Sequence, residues 1–367
     1  MRWDDDMDDF DFEDEPQERA TIAPTMDEVW DTLVLMRLEA GVLSDDDLPG
    51  LEWEDLPEMP EDMEPRDEAM HFALAAYEGW YDDPDSAEEM VRHATELDPY
   101  CIEAWVALWW MQDIDSYEAL VTAGKAVLYG HQLLEGTADV RFVEDVWQYP
   151  RIRGAVRAFG ALALTNWAHE MPEEAFEAAE EALRLAPNDE MGLASHLVNW
   201  YLATGDVEGA ERVLRDLDDT SNAPLAYAEA LVEFAQNGPE EARGALLAAV
   251  EAHPLFLGNF ALAARGELER VDMSYPFHTY TPGTFEELAV WWDLIENAWL
   301  GVEGAFNWAV GCANEPEFDE LVRSAAQQAA TDMEALFGSL GIDVDSLSLD
   351  DFDLDDDEDD GPDLRLL

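Results

Sequence analysis

The chain has 367 residues, with 87 acidic side chains against 18 basic ones and a formal net charge of −69. A field of that sign repels nucleic acid and anionic lipid, which argues against direct nucleic-acid or membrane binding. Yet 48% of the residues are hydrophobic and 14 are tryptophan, which excludes a merely disordered acidic chain and leaves room for a long repeat array or two domains.

The acids are unevenly spread. Residues 1–20, 45–64 and 342–367 hold 32 of the 87 with only three bases (Arg2, Arg19 and Arg365), so the other 301 residues still carry a net −40. Lys125 is the only lysine among the 18 bases. Carboxylates hold water and cations tightly, and a surface without lysine stems stays hydrated in near-saturated salt, where the Debye length falls to roughly 3 Å or less. The composition therefore predicts a cytoplasmic protein of a salt-in halophile, bathed in solvent cations such as K⁺. Cys101 and Cys312 stand 211 positions apart, which suits two buried thiols in a reducing cytosol rather than a metal site. The opening residues, Arg2 followed by Asp4, Asp5 and Asp6, are unlike a signal peptide, and no run of 18 uncharged apolar residues occurs.

Taken in chain order, residues 1–24 read as a disordered acidic N-terminus. Residues 25–42 hold an isolated amphipathic helix, with Val29, Leu33 and Met36 at helical spacing and Gly41 as its stop. Residues 43–66 form an acidic, proline-rich linker, or a strap lying on the body. From 67 to 255 the pattern is helical and repeats. Ala87, Val91, Ala94 and Pro99 stand at offsets 0, 4, 7 and 12, as do Ala175, Ala179, Ala182 and Pro187, and Ala242, Leu246, Ala249 and Pro254. Ala119, Ala123 and Ala126, and Ala210, Leu214 and Leu217, repeat the first three offsets without the proline. Offsets 0, 4 and 7 share one helix face, where small residues let a neighbouring helix approach, and the proline ends that helix. An apolar face lies upstream of these helices: Trp105 and Leu108, Phe159 and Leu162, Leu197 and Tyr201. Residues 130–150 read as an insertion. Residues 256–338 are predicted as C-terminal capping helices and 339–367 as a disordered acidic tail.

The spacing small-x3-large-x2-small-x4-Pro with a period near 34 resembles the tetratricopeptide repeat, over about half of the chain. ATELDPYCIEAWVAL (94–108) and AEEALRLAPNDEMGL (179–193) are similar to the junctions between such repeats. One unit departs from it, with Ala226 at the aromatic position of its first helix. AVEAHPLFLGNFALAARGELE and TYTPGTFEELAVWWDLIENAWLGVEGAFNWA resemble the C-terminal half of the suppressor of tumorigenicity seven family. Val302, Glu303, Gly304, Ala305 and Asn307 match a stretch of that family, with Phe306 in place of leucine. These resemblances imply an all-α fold, a right-handed α-solenoid of stacked helix pairs, and no catalytic residue to carry over.

Direct signs of chemistry are lacking. The seven histidines have no metal-ligand spacing, and His196 falls at a packing position. There is no Gly-x-Ser-x-Gly and no phosphate-binding loop around Lys125. The run Asp356, Glu358, Asp360, Gly361 opens like a calcium loop, but its twelfth position would be Leu367 where a glutamate is needed. No catalytic residue, metal or cofactor is therefore expected. What remains is a surface. The tetratricopeptide register places the groove-lining positions at Phe72, Trp80, Val106, Trp110, Arg157, Trp167, Asn199, Tyr227 and Phe234, and these could grip a peptide or helix of another protein. Packing of several of them against the insertion or the N-terminal helix is the equal alternative. Arg151, Arg153 and Arg157 cluster at the start of the third unit. They suit a partner's carboxylates or the chain's own acidic tail, and more simply internal pairing with acids such as Glu173 and Glu174. The leading expectation is a non-catalytic scaffold or adaptor, adapted to high salt, that binds a partner segment in this groove. The alternative is an acidic regulatory module or chaperone whose tail binds a basic partner.

Overall fold

The computed structural model describes residues 17–18, 22–51, 53–60, 62–80, 83–136, 145–217, 219–268 and 279–339. Among them the chain is all-helical, with fifteen α-helices, short 3-10 turns and one pair of two-residue strands. The strands are β1 (Gln17–Glu18) and β2 (Thr279–Tyr280), antiparallel with Gln17 opposite Tyr280. The predicted tail at 340–367, with its calcium-like run, lies outside the described residues, as do residues 1–16. The chain divides into two compact units, Ala20–Ala194 and Ser195–Asp363, the latter joined by Gln17–Glu18.

The first unit begins with the predicted amphipathic helix, α1 (Met26–Glu39). A capping box starts it: the Thr25 hydroxyl accepts from Glu28 N at 3.3 Å and the Glu28 carboxylate accepts from Thr25 N at 2.7 Å. Gly41, at φ +70°, ends it. The acidic stretch after it is a strap rather than a free linker. Arg37 Nε donates to Pro57 O at 2.6 Å, and Met59 packs on the core.

Helices α2 (Pro65–Gly79), α3 (Pro84–Leu97), α4 (Ile102–Trp110), α5 (Tyr117–Gly136), α6 (Arg153–Ala168) and α7 (Pro172–Leu185) complete this unit. The predicted small-residue faces are its buried seams: Ala87, Val91, Ala94, Ala119, Ala123, Ala126, Ala175, Ala179 and Ala182 are at most 1% exposed. With one-carbon side chains at most of these positions, α2 packs on α3 and α4, α4 on α5 and α6, and α6 on α7. Two boundaries need correction. Ile22 and Ala23, expected within the disordered N-terminus, are buried, because Gly160 leaves room for the Ile22 side chain. The inserted segment 130–150 starts as helix, since α5 runs on to Gly136, and ends in 3-10 turns that bury Val146 and Trp147. Residues 137–144 lie outside the described residues.

Helix α8 (Leu193–Ala203) crosses from one unit to the other. The second unit continues with α9 (Val207–Asp216), α10 (Ala223–Asn237), α11 (Pro239–Ala252), α12 (Pro254–Arg265), α13 (Phe285–Gly301), α14 (Ala305–Ala313) and α15 (Pro316–Ser339). Ala210, Ala242, Leu246 and Ala249 are buried as the offsets predict, whereas Leu214 and Leu217 are half-buried. Helix α10 packs on α9, α11, α13 and α14, and α12 on α11, α13, α14 and α15. Gly301 has a clear steric reason: a Cβ there would lie 2.4 Å from the carbonyl oxygens of Leu202 and Ala203, so only glycine lets the end of α13 meet the end of α8. Pro254 starts α12 immediately beyond α11, and the two helices are bent by 108°. Among the described residues no single helix is long and apolar enough to cross a membrane.

Candidate interaction groove

In the first unit the expected groove faces α1 and the residues that lead into it. Val29, Leu33 and Met36 pack into one cluster with Ala69, Met70, Ala73 and Leu74 of α2 and Ala104 of α4, and Phe72 borders that cluster. Burying each of the larger side chains in it (Val29, Leu33, Met36, Met70 and Leu74) contributes about 1.5–3 kcal/mol. Ala23 belongs to a second cluster with Ala76, Tyr77, Ala107 and Leu108, and Trp80 and Trp110 pack against it as an edge-to-face pair at 5.6 Å. Trp80 and Trp110 are half-buried, and Trp167 is half-buried against Phe176 at 6.4 Å.

Arg153 and Arg157 are interior residues. Arg157 is 1% exposed. Its guanidinium pairs with Glu103 of α4 and with Glu28 of α1 at 3.0 Å, and stands over the Trp147 ring at 4.8 Å. Arg153 is also buried, donates from Nε to Trp147 O at 2.7 Å and reaches Asp31 of α1 at 3.7 Å. Burial drives the Glu103 carboxyl above its ordinary range, against the pull of Arg157. Burial also opposes the charge on Arg157, but Glu103 and Glu28 outweigh it and hold the guanidinium charged. Internal pairing is therefore the fate of Arg153 and Arg157, with Glu103, Glu28 and Asp31 rather than Glu173 and Glu174. The Arg151 side chain lies outside the described residues.

In the second unit the expected groove faces α13 and α14. Phe234 stacks on Trp308 at 4.8 Å, Tyr227 meets Trp299 edge-on at 6.3 Å, and His196 lies 5.4 Å from the Trp291 ring. Tyr227 is fully buried and its hydroxyl donates to His253 O at 2.9 Å. Asn199 is 1% exposed and its amide donates to Ser195 O at 2.8 Å and Pro224 O at 3.2 Å. Val106, Arg153, Arg157, Asn199 and Tyr227 thus correct the expected groove and arginine positions: all five are buried and present no open surface.

Sequence reasoning missed the acids that organise both sites. Glu103 is the only acid within IEAWVALWW (102–110), a signal that could have flagged it. Glu287 had no such signal. It begins α13, accepts from Gly283 N at 2.7 Å and holds His253 Nδ1 at 3.0 Å, while His253 Nε2 faces Ser221 O at 2.7 Å. Because a carbonyl and a carboxylate only accept, both ring nitrogens are satisfied when both carry protons. Burial alone would lower the His253 pKa, but Glu287 and Ser221 override it and hold the imidazolium. Asp189, at φ +53°, accepts from Leu193 N at 2.7 Å and Ala194 N at 2.9 Å; burial pushes its carboxyl up to about 7 despite those bonds. Among the described residues no group of three or more His, Cys, Asp or Glu could hold a metal ion.

Fold and site define an all-helical protein whose predicted groove is lined by buried charge in one unit and by aromatics in the other, each covered from within the chain. No protein-family model matches the chain, and no curated protein matches it in sequence.

Proposed function

We propose that this chain is a non-catalytic protein–protein interaction scaffold of the tetratricopeptide type, a right-handed α-solenoid working in the salt-rich cytoplasm of a halophile. Its ligand is a helical segment of a partner protein, taken against α2, α4 and α6. One observation carries this reading: an amphipathic helix, α1, already lies across those helices with its apolar stripe on α2 and α4 and its Glu28 on Arg157. A face that accepts one such helix has the shape and chemistry to accept another. The buried alanine seams and the succession of contacts from α2 to α4 to α6 support the solenoid reading. The scarcity of lysine and the net −69 support the salt adaptation.

The test is affinity capture from a native lysate in multimolar KCl, followed by mass spectrometry. Val29→Asp with Met36→Asp weakens the hold of α1, and far-UV circular dichroism checks that the remaining helices stay folded. A specific partner should be enriched on this variant over the native chain and depleted when Trp110→Ala is added, because apolar contacts survive high salt. Equal capture by all three proteins would sink the reading. Capture that vanishes on deleting 342–367 would transfer the function to the tail.

A further inference from the structure

In the groove of the first unit the charge balance of the chain is locally reversed. Its wall holds two buried cations, Arg153 and Arg157 of α6, against one buried carboxylate, Glu103 of α4. Helix α1 supplies the opposing charge. Of its acids, Asp27, Asp31 and Glu39 are exposed, and Asp31 reaches Arg153 only from the rim, at 3.7 Å. Glu28 instead turns inward and meets Arg157 at 3.0 Å, with its side chain 17% exposed. A ligand that brought the apolar stripe without this carboxylate would leave the excess positive charge buried, at a cost that apolar contact does not offset.

The residues that lead into α1 are held as specifically. Ile22 is 4% exposed and lies against Gly160 of α6 and Met191; a Cβ on Gly160 would stand 2.7 Å from Ile22 Cδ1, so α6 leaves a space matched to that one side chain. The capping box of Thr25 and Glu28 fixes the turn between Ile22 and the helix, so that Ile22 and Glu28 reach the wall together. Resting on the reading that another helix can take the place of α1, we propose that the partner segment is an acidic, N-capped amphipathic helix with the same spacing. An extended apolar residue enters first, a glutamate follows six positions later as the third helical residue, and apolar residues stand one, five and eight positions beyond it, as Val29, Leu33 and Met36 do. The glutamate on Arg157 is the residue the groove selects for.

Fluorescence anisotropy in multimolar KCl tests it, with the full chain carrying Val29→Asp and Met36→Asp as receptor and a labelled synthetic peptide of residues 22–40 as probe. The peptide should bind this receptor and not the native chain, whose own α1 fills the groove. Glu28→Gln in the peptide should weaken binding about tenfold or more, because glutamine keeps the capping box and loses the charge. Ile22→Ala should also weaken it about tenfold, and Asp27→Asn, at an exposed acid, should change it little. A Glu28→Gln peptide that binds as tightly as the native peptide overturns the proposal and leaves the groove reading standing. A folded receptor that binds no peptide overturns both. Should the receptor unfold, Glu28→Gln in the otherwise native chain makes the same comparison: amide exchange over α1 should accelerate about tenfold, and unchanged exchange overturns the proposal. A native chain that sediments at twice the chain mass, and at single mass once Val29→Asp and Met36→Asp are introduced, would give the groove to α1 of a second copy and overturn it as well.

Discussion

The two units cover the same kind of face by different physics. In the first, α1 reaches the groove with an apolar stripe and one carboxylate, and the most demanding interaction is the buried triad of Arg157, Glu103 and Glu28. In the second, α13 and α14 bring Trp291, Trp299 and Trp308 onto His196, Tyr227 and Phe234. Rings gain from burial and offset contact without a charge to desolvate. A buried ion triad gains little net energy, because removing each charge from water offsets the attraction, but it penalises any arrangement that leaves one member alone. The aromatic cover is thus built mainly for stability. The charged cover penalises any register of α1 that leaves Arg157 or Glu103 unpaired, which is the specificity the proposed binding role would call on.

The comparison breaks most clearly at its centres. Trp299→Ala, which removes a fully buried ring, should cost about 3–5 kcal/mol, read by denaturant unfolding in high KCl. Arg157→Ala should also cost about 3–5 kcal/mol, because Glu103 is left buried without its cation. The two then separate on a second substitution. Arg157→Met combined with Glu103→Leu should recover most of the loss, whereas no single polar replacement at Trp299 should. Failure of that double variant to recover would mean that the triad, too, is mainly a stabilising device.

Smaller effects sharpen the same contrast. Gly301→Ala drives a Cβ into two carbonyls at the end of α8 and should cost about 1–3 kcal/mol, with the thermal midpoint as the readout. His253 gives the second unit a pH signature, where it joins the starts of α10, α12 and α13; Asp189 of the first unit, raised to about 7, adds its own fall at the lower end of the range. The folded pKa of His253 is raised, so its contribution is fully present below the ordinary histidine value of about 6.5 and is lost as pH rises through the folded value. Thermal midpoints from pH 5 to 9 should fall across that window, an interval on the order of the histidine range. His253→Gln should flatten the fall.

Much of the fold was legible because its signals are local. The apolar offsets of Val29, Leu33 and Met36, and alanines at 0, 4 and 7, each report one helix face, and the buried positions follow them. The cover of the groove was not legible, because register says which residues of a first helix point inward and says nothing about what lies on them. Tyr227 and Asn199 read as binding residues for that reason. The acids were hidden by abundance. In a chain with 87 carboxylates, pairing of Arg157 with Glu103, 54 positions away, or of His253 with Glu287, 34 positions away, leaves no trace in spacing.

The central claim is that the chain's own α1 occupies the groove of the first unit as a ligand would. Hydrogen–deuterium exchange of the full chain in multimolar KCl tests it most directly. Slow exchange over the α1 amides, accelerated on the order of a hundredfold or more by Val29→Asp with Met36→Asp while α4 and α6 keep their protection, is the predicted result. Rapid exchange of α1 in the native chain, at the rate of an unpacked helix, would contradict it.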